Sequence, residues 1–144
     1  MDPASVAVLA VVMRWVHIAS VVMLIGGFVY ARFVLAPSVA TLPDPEREIV
    51  RKRAMGAFRP IVYVTLLLIL GSGAYNYATK ATYPPHYHMW MGIKLLVVLH
   101  IVVSAISYSL LAADEVKRKR RELSIAISGL VVIAIAGYLR YLST

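Results

Sequence analysis

Four apolar runs, each long enough to cross a lipid bilayer, constrain this chain more than any other feature. A hydrocarbon core about 30 Å thick takes about 20 residues of helix, and the sequence offers such stretches at approximately 15–36, 60–78, 90–113 and 123–142, separated by proline, glycine or charge. Backbone polar groups inside lipid must be satisfied internally, so a spanning chain is either helical or a closed barrel. The expected fold is therefore all-α: an integral membrane, up-and-down four-helix bundle in a single domain over 1–144. Residues 4–13 are apolar too, so the first helix either starts earlier and runs long or tilted, or follows an interfacial segment. The opening "MDPASVAVLAVVMRWVHIAS" lacks a basic leader and a cleavage site and reads as retained.

Composition agrees. Sixty per cent of the 144 residues are hydrophobic and the mean hydropathy is +0.76, far too apolar for a soluble domain of this size. The net charge of +8 could indicate nucleic acid, but no basic docking face accompanies it. Instead, the basic residues gather in two connections. The first, "PSVATLPDPEREIVRKRAMGAFRP", carries Arg47, Arg51, Lys52, Arg53 and Arg59; the third, "DEVKRKRRE", carries five consecutive cations from Lys117 to Arg121. Antiparallel helices put these two connections on one side, and the excess of Lys and Arg makes that side cytoplasmic. A multi-pass protein of the cell (inner) membrane is expected, with both termini and the His86/His88 loop outside. Residues 45–58 pair early acids with later bases and place Ile49, Val50, Met55 and Phe58 at helical spacing, as in a short amphipathic cytoplasmic helix.

The absence of cysteine excludes disulfides, iron–sulfur clusters and covalently attached haem, leaving His, Met, Lys and carboxylates as ligands. No catalytic triad, phosphate loop or zinc-protease motif is present, so catalytic residues are not assigned. Within the spans, polar residues fall on faces: His17, Ser20, Leu24, Gly27 and Ala31 on the first helix; Thr65, Ser72 and Asn76 on the second; Ser124, Ser128, Ile135 and Tyr138 on the fourth. Such faces commonly look inward and hydrogen-bond between helices.

His17, Lys94 and His100 carry more weight, because ionisable groups at membrane depth are costly and mark function. With Trp15 and Trp90 at the outer interface, a rise of about 1.5 Å per residue leaves His17 and Lys94 nearly level and His100 about 9 Å deeper than Lys94. A haem held between helices needs axial ligands at similar depth. His17 with Lys94 or His88 meets that condition; His17 with His100 meets it only if the first helix begins near Val6 and slides inward, leaving Arg14 to snorkel or pair. Six residues apart, Lys94 and His100 lie about 120° apart around their helix, so both cannot face one neighbour. Simple readings compete: Lys94 reaching to head groups, His100 as a buried neutral imidazole. In the loop, His86, His88 and Met89 offer imidazole and thioether ligands suited to copper.

As a whole, the residues resemble two membrane families. "RWVHIASVVMLIGGFVYARFVLAP" is similar to the first helix of the copper-resistance D (CopD) domain and of HemJ-type protoporphyrinogen oxidases, with His17, Gly27 and Tyr30 carrying the match. "FRPIVYVTLLLILGSG" resembles their entry to the second helix through Arg59, Pro60, Thr65 and Gly71. "HMWMGIKLLVVL" is similar to the third through Trp90 and Lys94, and "RRELSIAISGLVVIAIAGYL" resembles the CopD type through Arg121 and Glu122. The resemblance implies b-type haem bound through His17, with Lys94 functionally important. The last helix lacks the Asn-Glu and proline entry of the HemJ type, and Ala31 replaces a proline before Arg32, which argues against protoporphyrinogen oxidation.

Three functions follow as expectations. One is a redox or electron-transfer protein holding haem b, a haem-dependent oxidoreductase if it is an enzyme, with His17, Lys94, His100 and Gly27 around the cofactor. Another is copper transport or sensing through His86, His88, His17 and His100. The third is a non-catalytic subunit packed into a larger membrane complex or a homo-oligomer. The lipid bilayer is a partner in all three, and nucleic acid in none.

Overall fold

The computed structural model describes residues 2–79, 87–110 and 115–141, and nearly all of them are helical. Four helices result. The first, α1, runs over Pro3–Ser38 with a π-helical turn at Ala31–Leu35. The second, α2, covers Asp44–Ala78; α3 covers Tyr87–Leu110 and α4 Glu115–Tyr141. Each is long and apolar enough to cross a membrane, and they form the expected up-and-down four-helix bundle. No strand occurs among the described residues.

One of the two starts expected for α1 is found, and two other boundaries differ from those expected because a helix does not stop where its apolar run stops. α1 begins at Pro3, a residue suited to the first helical turn because its missing N–H would have no partner there. The segment 45–58 is not a separate interfacial helix. It is the first part of α2, which opens on Asp44, Pro45 and Glu46 and continues through Pro60; acids in the first turn complement the helix dipole. The basic run Lys117–Arg121 likewise lies within α4, not in a loop. Arg47 ties down the short connection before α2: one guanidinium nitrogen donates to the carbonyls of Ala40 and Leu42, each at 3.0 Å, and another pairs with Asp44 at 3.1 Å.

In the ring of four, α1 packs most extensively on α2 and α3 on α4; α1 also meets α4, while the approach of α2 to α3 is the slightest. We call the end holding Pro3, Ala78, Tyr87 and Tyr141 the terminal end, and the other the basic end. The core sits toward the basic end. Phe28 is fully buried at its centre and meets Phe58 and Tyr108 edge-on, with ring centroids 5.4 and 5.3 Å apart. Leu24, Val62, Leu66, Ile101, Ala105 and Ile125 complete the layer. Two glycines set the interhelical spacing. A Cβ on Gly129 of α4 would lie 2.6 Å from Cδ1 of Ile25, and one on Gly27 of α1 would collide with the Phe58 ring.

Candidate functional site: a histidine-lined slot at the terminal end

Where α2 and α3 stand apart, the terminal half of the bundle is hollow. A cavity of about 420 Å³ runs between them, walled by Leu24, Ile25, Leu66, Ile69, Val98 and Ile101 among other apolar side chains. That volume falls in the range of ligand pockets, about 300–1,000 Å³. His17 enters it from α1 and Lys94 from α3, both half-buried. The two groups that the depth argument expects to be level share one cavity. Met91, one turn before Lys94, adds a thioether to the lining, and Gly73 and Asn76 come from α2.

The His17 ring is held on one side only. Its Nδ1 lies 3.1 Å from the carbonyl oxygen of Ile69 and 3.0 Å from the Ser72 hydroxyl. A carbonyl only accepts, so Nδ1 carries the proton and donates it there. Ser72 in turn donates to the Leu68 carbonyl, which leaves its lone pairs for the imidazole. Nε2 is then the unprotonated nitrogen, and among the described residues it has no hydrogen-bond partner. Imidazole fixed through Nδ1–H to a backbone carbonyl, with Nε2 open, is the usual arrangement of a metal-ligating histidine. Gly73 supports it sterically: a Cβ there would lie 3.2 Å from His17 Cε1, so glycine keeps α2 close without pressing on the ring. Nearby, Asn76 reaches the Met13 carbonyl at 3.5 Å, a further tie between α1 and α2.

The other sequence-derived candidates lie elsewhere. His100 is exposed on a different face of α3, as its spacing from Lys94 requires, and its Nε2 meets the Ser124 hydroxyl of α4 at 2.9 Å. An early start of α1, the condition for pairing His17 with His100, is met at Pro3; yet the pair does not form, because His100 faces α4 and the slot opens beside α2. His88 is exposed at the start of α3, against the Tyr87 ring at 6.4 Å between centroids, and His86 lies outside the described residues. Gly27 is not part of the slot but a packing contact for Phe58. Tyr138, expected to face inward, is exposed on α4 and meets Trp90 at 5.0 Å. Among the described residues, no three His or carboxylate groups gather to hold a metal ion.

A second polar cluster, which spacing within single helices could not reveal, lies at the basic end. Glu122 of α4 is buried, with 4% of its surface exposed, and accepts a 2.7 Å hydrogen bond from the Tyr108 hydroxyl of α3. Its other carboxylate oxygen has no partner among the described residues. It borders a void of about 30 Å³, room for a single water, lined also by Ala31 and Leu35 of the π-helical turn and by Arg51, Arg118 and Lys119. Set against known family models, curated proteins and solved structures, the chain matches none, so its chemistry has to be argued from its own residues.

Proposed function

We propose that the protein is a membrane redox carrier whose slot between α2 and α3 would hold haem b, with His17 Nε2 as the nitrogen that would bind its iron. The observation that carries this reading is the His17 ring itself, with its Nδ1–H anchored on Ile69 and its Nε2 open beside an apolar cavity. The donor set suits the group: imidazole is a common haem ligand, and a lining poor in polar atoms suits a macrocycle held without covalent bonds. Bound haem would supply one-electron chemistry. The chain's residues would hold the imidazole tautomer through Ile69 and Ser72, exclude water with Leu24, Leu66 and Ile101, and present Lys94 as a second ligand or as a charge partner for a propionate. In the membrane the basic end lies on the cytoplasmic side and the slot in the outer half, so electron partners would reach it from outside. The likeness to the CopD and HemJ families points the same way.

Copper carriage draws less support from the geometry, because His17 and His100 face different helices and His88 is not part of the slot lining. Reduced-minus-oxidised spectra of purified wild type, His17→Ala and His100→Ala, each also titrated with haem, test the proposal. Wild type and His100→Ala are expected to show a Soret band and His17→Ala to lose it. A wild-type protein with no Soret band before or after added haem refutes the reading.

A further inference from the structure

His100 has no part in the slot, and its surroundings point to another. Side chains that ionise rarely stand open to lipid within a span, yet this imidazole is exposed on α3 and tied to Ser124 of α4. Ser124 is unusual in turn. The hydroxyls of Ser38, Thr65 and Ser72 each donate to the carbonyl four residues back on their own helix, the common way a helical hydroxyl is satisfied. That of Ser124 reaches across to His100 Nε2 instead, at 2.9 Å. With the serine proton on Nε2, Nδ1 carries the ring hydrogen, and it has no acceptor among the described residues. Arg120 and Arg121, four and three residues before Ser124, share its face of α4, whereas Glu122 and Ile125 are buried in the bundle. Arg121 also crosses to α3, donating to the Ser107 carbonyl at 3.2 Å. One strip of the α3–α4 junction thus carries two guanidinium groups, then a hydroxyl and an imidazole. Beyond them the exposed neighbours are apolar: Leu96, Leu99, Ile127 and Val131.

We propose that this strip binds one anionic phospholipid of the adjacent leaflet, its phosphate on Arg120 and Arg121 and a glycerol ester carbonyl on the Nδ1–H of His100. Cation, donor and apolar surface follow one another along the strip in the order in which phosphate, ester and acyl chain follow one another in such a lipid. The spacing fits as well. At 1.5 Å per residue Ser124 lies about 5–6 Å deeper than the two arginines, close to the thickness of one interfacial layer, about 5–7 Å. Guanidinium groups suit phosphate, and an ester carbonyl satisfies an imidazole N–H that hydrocarbon leaves open. The site is separate from the slot and does not rest on the haem reading.

Lipid binding to the detergent-purified full chain, measured by native mass spectrometry, tests the proposal. Three lipids with the same acyl chains are titrated: phosphatidylglycerol, its diether analogue, which has no ester carbonyl, and zwitterionic phosphatidylcholine. A charge-assisted hydrogen bond corresponds to about tenfold in affinity and a neutral one to about fivefold. Phosphatidylglycerol is therefore expected to bind about tenfold more tightly than phosphatidylcholine and about fivefold more tightly than its diether. In Arg120→Gln/Arg121→Gln the preference over phosphatidylcholine falls toward one; Arg120→Gln, which keeps the Arg121–Ser107 bond, loses part of it. His100→Leu removes the preference over the diether and keeps the other. Arg53→Gln/Arg59→Gln, at exposed cations of α2, changes neither ratio. A wild type lacking either preference, an equal loss in the α2 variant, or a His100→Leu variant that still tells ester from ether would each overturn the proposal.

Discussion

The two ends of this bundle are built from the same four helices and are opposite in character. At the basic end, Phe28, Phe58 and Tyr108 fill the interior ring against ring, and the buried Glu122 carboxylate accepts a hydrogen bond from the Tyr108 phenol beside a void of about 30 Å³. At the terminal end, α2 and α3 separate around the slot and a wider space bordered by Arg14 and Arg140, and the polar groups line open space. Inside a membrane the apolar driving force between helices is weak, so bundles are held by close packing and interhelical hydrogen bonds. One end can therefore stay hollow only if the other is packed well enough to hold all four helices in place. The contrast amounts to a division of labour: close packing is concentrated at the basic end and open space at the terminal end.

If so, substitutions should separate by end. The largest expected effect is Phe28→Ala, which empties the centre of the packed end and should cost about 3–5 kcal/mol, read as a lowered unfolding midpoint in detergent. Val98→Ala, on the slot wall, should cost about 1 kcal/mol or less, since its side chain already borders a void. Equal losses from the two would break the comparison. Gly129→Ala comes next: its methyl must displace Ile25, and a cost of about 1–3 kcal/mol is expected. Gly137→Ala on the same helix faces open space and should be neutral or slightly stabilising.

Tyr108→Phe removes the hydrogen bond that buried Glu122 accepts from the phenol and is expected to cost about 1–3 kcal/mol. Adding Glu122→Leu should restore part of that loss, because the stranded carboxylate goes with it. If the double variant is less stable than Tyr108→Phe alone, then Glu122 has a stabilising partner beyond the phenol. The smallest effect on stability belongs to Gly73→Ala, which should leave the unfolding midpoint unchanged while its methyl pushes on the His17 ring. Haem affinity is expected to drop several-fold, and an unchanged affinity would show that the ring has room to move.

Much of the fold was legible beforehand. Apolar length predicts four spans, and spacing predicts that His17, Ser20 and Leu24 share an inner face, that Thr65 and Ser72 share another, and that Lys94 and His100 part company. Periodicity gives the faces of one helix but not which neighbour each face meets. That is why Gly27 was expected at a cofactor but packs on Phe58, and why His100 bonds to Ser124. Gly73 went unnoticed because its part depends on His17, 56 positions earlier in the chain. Arg14 was legible only as a cation that must snorkel or pair, and Arg140 not at all, because their shared place depends on α1 and α4 coming together around one opening. The Tyr108–Glu122 pair spans two helices and 14 positions, and no single-helix pattern contains it.

One consequence of α2 reaches beyond packing. Its 35 residues form one uninterrupted helix, about 52 Å at 1.5 Å per residue, with charged turns at its first end and Ser72 and Gly73 within two turns of its last. Pro60 divides that length, because it brings no N–H to the helix and its ring crowds the carbonyl four residues back. The charged turns before it and the turns that hold the His17 imidazole after it therefore meet at the point where the helix bends most readily.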